Sequence, residues 1–153
     1  MTAASRPAGV RMIWPTLDAS VTADLDWDAA PQLCALLVGR MPFESTQEHA
    51  LITGGMLFAT TRVSTLVREN VRTFTNMAVG ACYFACGSQN VGLVYGPVTE
   101  PEGHSVWGRI APEHHATLAR VGHELWRNTI APFGDPARDP AAKRIIPVRF
   151  EIA

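Results

Sequence analysis

The chain has 153 residues, 47% hydrophobic and 18% charged, proportions that exclude a disordered polymer and are enough for one buried core. Thirteen basic side chains stand against fourteen acidic ones, for a formal net charge of −1 with no basic cluster, so a nucleic-acid partner is not expected. No apolar run nears the ~20 residues of a membrane span, the N-terminus lacks a signal-peptide pattern, and three cysteines are too sparse and odd for a secreted disulfide scaffold; together these point to a cytoplasmic chain.

After a flexible leader over residues 1–9, residues 10–14 and 19–25 read as two strands. The second alternates, with Val21, Ala23 and Leu25 on one face and Ser20, Thr22 and Asp24 on the other. Residues 15–18 form the turn of a hairpin. Asp28 then offers an N-cap, and Pro31 falls in the first turn of a helix, where its missing N–H costs nothing. Leu33, Leu36, Leu37 and Met41 follow at helical spacing, and Pro42 is the stop.

Residues 46–60 return to a strand pattern, interrupted by Gly54-Gly55, which marks a turn, a bulge or a close approach of two backbones. Residues 61–77 carry no period and read as a long loop. Residues 81–85 and 91–95 are expected strands joined by a turn at 87–90, and residues 105–110 are another. Pro112 and Glu113 open a second helix, with proline in its first turn and a negative charge at the positive end of its dipole. Leu118, Val121, Gly122 and Leu125 give its buried stripe at i, i+3, i+4 and i+7. Residues 132–140 are a proline- and aspartate-rich excursion. Residues 145–152 close the chain as a strand, which Pro147 places at a sheet edge.

Strands outnumber helices and do not alternate with them, which argues against a parallel α/β sheet. The expected fold is mainly β with two helices: a closed or nearly closed sheet over residues 10–153, its open ends plugged by the helices.

Several phrases of the sequence resemble the cyclophilin-like fold. Ala30-Pro31 stands where cyclophilins open their first helix, Glu69-Asn70 looks like the pair before their central loop, and Trp107-Gly108-Arg109-Ile110 is similar to the strand before their second helix. The isomerase arginine is missing from Glu48-His49-Ala50-Leu51-Ile52-Thr53-Gly54, so prolyl isomerase activity is disfavoured. The ordered set Ala30-Pro31, Met41-Pro42, His49-Ala50 with Thr53-Gly54, Glu69-Asn70 and Tyr95-Gly96 is similar instead to a bacterial branch that contains cucumopine synthase. Cucumopine synthase joins histidine to a 2-oxo acid by imine formation and ring closure. The resemblance therefore implies a small, carboxylate-bearing substrate and proton-transfer chemistry without a metal.

Six residues are candidates for such a site. His49 titrates near neutral pH and suits proton transfer, or it is a core or rim histidine satisfied by a backbone carbonyl. Glu69 could act as general acid/base or orient His49, its pKa raised by burial in a barrel mouth, or it could pair with Arg68 or Arg72. Tyr95 could stabilise an oxyanion or relay a proton, or simply line a rim. For substrate binding, Thr53 offers a hydroxyl beside a glycine pair, Arg62 a planar fork for a carboxylate, and Asn70 either a carboxylate contact or a turn cap.

His114 and His115 are adjacent on a helix and cannot chelate together, and His123 shares neither one's face. Cys82 and Cys86 lack the further ligands that structural zinc requires, and read as small buried hydrophobes. No glycine-rich phosphate loop or dinucleotide fingerprint is present, so no cofactor is expected. The expected partner is a small-molecule substrate, with homo-oligomer formation left open. A non-catalytic metabolite- or peptide-binding module is the alternative to an enzyme.

Overall fold

In a computed structural model, residues 6–131 and 143–153 are described. Residues 1–5 of the leader and the excursion at 132–140 lie outside them. Nine strands and two helices follow in the order β1 (Gly9–Trp14), β2 (Ala19–Leu25), α1 (Pro31–Val38), β3 (Phe43–His49), β4 (Gly54–Thr60), β5 (Val71–Thr73), β6 (Ala81–Ala85), β7 (Asn90–Val98), β8 (Gly103–Ile110), α2 (His115–Ile130) and β9 (Pro147–Ile152).

The strands run β2-β1-β9-β3-β4-β7-β6-β8, and β8 pairs back to β2. Every pairing is antiparallel. This is a closed, eight-stranded, cyclophilin-like barrel, with β5 attached outside the ring to the first half of β8. Closure leaves no edge in the ring. Pro147 therefore does not mark an edge: β9 is paired on both sides, to β1 and β3, and proline is tolerated because it is the first residue of the strand.

Alternation along the strands builds the core. Val10, Met12, Trp14, Val21, Ala23, Leu57, Leu93 and Phe150 point into the barrel and are almost wholly buried. The antiparallel order puts the ends of β1, β3, β7 and β8 and the starts of β2, β4, β6 and β9 at one mouth. Helix α2 crosses that mouth, burying Leu118, Val121, Gly122 and Leu125 as the heptad-like spacing requires. Helix α1 closes the opposite end with Leu33, Cys34 and Leu37. A second apolar cluster lies outside the ring, where Phe74 and Met77 cover Met56, Ala81, Tyr83 and Val94. For that reason β6 is buried on both faces.

Several local expectations change. Helix α1 stops at Val38, short of Met41, and its N-cap is Ala30 with no capping side chain. Asp28 does not cap it; Asp26 Oδ1 accepts the N–H of Ala29 one turn earlier. The stretch 46–60 is two strands, and the loop 61–77 contains β5 and a short 3-10 turn at Phe74–Asn76. Pro112 and Glu113 form a 3-10 turn just ahead of α2. His115 Nε2 bonds the Ile110 carbonyl at 3.0 Å and fastens the helix start to β8. No helix among the described residues is long and apolar enough to cross a membrane.

Candidate active site

His49 is the last residue of β3, and Tyr95 lies near the end of β7, with β4 between them. Two strand spacings separate those backbones by roughly 10 Å, so only long side chains can meet across the middle strand. They meet because β4 begins with Gly54-Gly55. The ladder places Met56 opposite Val94 and Gly54 opposite Val98, with a bulge between Gly54 and Met56. A Cβ at Gly54 would lie 2.3 Å from the Pro97 carbonyl oxygen, and one at Gly55 would lie 2.6 Å from the Gly96 Cα. The glycine pair is thus both a bulge and a close backbone approach, and it leaves no side chain between histidine and tyrosine.

The result is a fixed dyad. His49 Nδ1 lies 2.6 Å from the Ala50 carbonyl oxygen. A carbonyl only accepts, so Nδ1 carries the proton. Nε2 then accepts from the Tyr95 hydroxyl at 2.7 Å. Trp126 tilts over the imidazole at 4.9 Å between ring centroids, and His49 is 5% exposed. Burial disfavours the imidazolium and lowers the His49 pKa below 6.5, opposed by the Ala50 carbonyl and aided by His123. Burial also raises the Tyr95 pKa above 10. Both groups are therefore neutral at pH 7, with the lone pair of one aimed at the proton of the other.

The dyad opens on a recess of about 200 Å³ lined by Leu51, Gly54 and Trp126. Helix α2 forms its roof. Gly122 lets the Tyr95 ring lie against the helix, for a Cβ there would sit 2.5 Å from Tyr95 Cε1. One residue on, His123 meets the same ring edge-on at 5.6 Å.

Three of the other four candidates, Glu69, Asn70 and Arg62, lie apart from this pair. Glu69 neither orients His49 nor pairs with Arg68 or Arg72. Its Oε2 accepts the N–H groups of Gln32 and Leu33, each at 3.0 Å, and its Oε1 accepts Gln32 Nε2 at 3.0 Å. Glu69 is thus the missing cap of α1, a carboxylate at the positive end of that helix. Asn70 has a left-handed backbone (φ 47°) and donates Nδ2 to the Val106 carbonyl, stitching the loop to β8 beside an outer groove of about 410 Å³. Arg62 follows β4 at the opposite end of the barrel from His49 and lines a different groove. Thr53 sits in the β3–β4 turn next to Gly54, with a buried Oγ1 that has no hydrogen-bond partner.

Trp126, His123, Gly122 and Leu51 were not among the expected site residues. The signal available was the Gly122 gap in the stripe of α2, flanked by His123 and by Trp126 one turn on. Among the described residues no group of three or more His, Cys, Asp or Glu could hold a metal ion. The cysteines are free, and burial pushes the Cys34 thiol up to about 12 and raises that of the fully buried Cys82 as well.

No protein-family model and no curated protein matches the sequence. Among solved structures the chain is similar to McbB, solved in complex with tryptophan, with a TM-score of 0.79 and 27% identity over 93% of this chain. The match takes in 44% of the McbB chain, so this chain spans less than half of its length. It is also similar in fold to a hypothetical protein of Archaeoglobus fulgidus determined in solution, with a TM-score of 0.61 and 17% identity over the whole of both chains.

Proposed function

We propose that this cyclophilin-like chain, a structural relative of McbB, is a small-molecule enzyme that moves a proton through the Tyr95–His49 dyad. The observation that carries the reading is the committed tautomer. With Nδ1 held by Ala50, the lone pair of His49 is directed at Tyr95, so His49 Nε2 can take the hydroxyl proton as Tyr95 takes one from a substrate, and return it when Tyr95 gives a proton back. Trp126 packs over the imidazole, and the burial of the ring holds it in its neutral, proton-accepting form.

The substrate class we favour is amino-acid-derived and carboxylate-bearing, or a cyclic imine or amide. The chemistry would be a cucumopine-synthase-like condensation, a lyase step or a cyclic-amide hydrolysis. Two facts support a small ligand: the recess has an aromatic wall and an apolar lip at Trp126 and Leu51, and the McbB structure holds tryptophan. The orphan hydroxyl of Thr53 is available as a further hydrogen-bond donor. A cytoplasmic, bacterial setting belongs to the same reading.

The test incubates the protein with histidine or tryptophan and a 2-oxo acid. Mass spectrometry then looks for a product equal to both reactants less one water. Loss of that product in His49→Ala and Tyr95→Phe, with the fold intact, supports the dyad. A binding module is the second reading, favoured by the recess being smaller than the ~300 Å³ at which ligand pockets ordinarily begin. Ligand stabilisation with no product from the wild type would establish it.

A further inference from the structure

At the end of the barrel far from His49, β3 and β4 part company. Their register ends at Gln47 opposite Ala59, and β3 continues to Phe43 against β9 alone. Thr61 turns away, donating its N–H to the Gln89 carbonyl at 2.8 Å. The opening is a groove of about 590 Å³, within the ~300–1,000 Å³ usual for small-molecule sites.

The chemistry of its walls is one-sided. Arg40, from the α1–β3 connection, and Arg62, just after β4, both line it. Neither has a hydrogen-bond or ion-pair partner among the described residues. The one carboxylate lining the groove among the described residues, Glu44, lies 3.6 Å from Arg149 Nη1. Two exposed guanidinium groups lining one groove give it a positive potential that attracts an anion. Pro42 and Phe43 supply a flat apolar wall, with Phe43 held by its stack on Phe150 at 4.7 Å and 14°.

We propose that this groove is a second ligand site, for a compact planar molecule carrying a carboxylate or a phosphate that Arg40 and Arg62 clamp together. The guanidinium fork matches either oxyanion. The site stands independently of the His49–Tyr95 reading, because the two lie at opposite mouths and share no residue.

Benzoate and phenyl phosphate share a ring and differ in the anion, and benzyl alcohol is their neutral counterpart. Each is titrated into the ¹⁵N-labelled protein. The expected result is saturable shifts at the amides of residues 43–45 and 60–62 with an anionic probe, and none with benzyl alcohol. Arg40→Gln and Arg62→Gln should each weaken binding several-fold, and together at least tenfold. A matching thermal midpoint confirms that the variants fold. Tighter binding of phenyl phosphate assigns a phosphorylated ligand, and tighter binding of benzoate a carboxylate. The proposal is overturned by no saturable shift with either anion, by equal response to benzyl alcohol, or by unchanged affinity in the double variant.

Discussion

The Tyr95 hydroxyl donates to His49 Nε2 across 2.7 Å, over a strand that begins with two glycines. Removing that hydroxyl leaves the ring and its packing in place. Tyr95→Phe should therefore cost only about 1 kcal/mol in stability, while lowering turnover by about 10²–10⁴-fold, the usual worth of a positioned proton carrier. Steady-state kinetics beside a urea melt separates the two. Turnover equal to wild type would remove Tyr95 from the chemistry.

Gly122 holds Tyr95 in place from the side of α2. In an ordinary helix Gly→Ala gains roughly 1 kcal/mol. Here the added methyl would overlap the Tyr95 ring, so Gly122→Ala should lower the melting temperature and suppress turnover nearly as far as Tyr95→Phe does. A stabilised, fully active variant would show that the ring has room to move.

The pH dependence follows from the buried imidazole. The folded pKa of His49 lies below 6.5, so the unfolded chain binds this proton first as pH falls. Its contribution to stability is complete above pH 6.5 and is lost between pH 6.5 and the lower folded value. His49→Gln should flatten that part of the stability curve. In Trp126→Ala, where water reaches the ring, the His49 pKa should move up toward 6.5 in an NMR titration.

Glu69 makes the opposite kind of prediction. Glu69→Ala strips two N–H groups at the start of α1 of their acceptor, which should destabilise the fold by about 1–2 kcal/mol. At matched folded fraction, kcat/KM should stay as in the wild type. A fall in kcat with stability unchanged would return Glu69 to the proton chemistry.

The different fates of Glu69, Arg62 and His49 show where sequence reading ends. All three carried plausible chemistry and sat near the right dipeptides. What separated them was strand order. His49 and Tyr95 lie 46 residues apart and meet because β4 alone stands between β3 and β7. Arg62 is only 13 residues beyond His49, yet β4 carries it the length of the barrel.

By itself the sequence determined the things set by local periodicity and composition. The alternation of β2 and the stripe Leu118, Val121, Gly122, Leu125 fixed which faces are buried, and the order of short phrases pointed to a barrel with two plugs. Closure of the sheet was decided only in three dimensions. It put Pro147 inside the ring, turned Glu69 into a cap for a helix 37 residues away in sequence, and brought the Tyr95 hydroxyl to His49 Nε2. Contacts between strands depend on register and ring order, which hydrogen bonds across the sheet set and no local window of sequence contains.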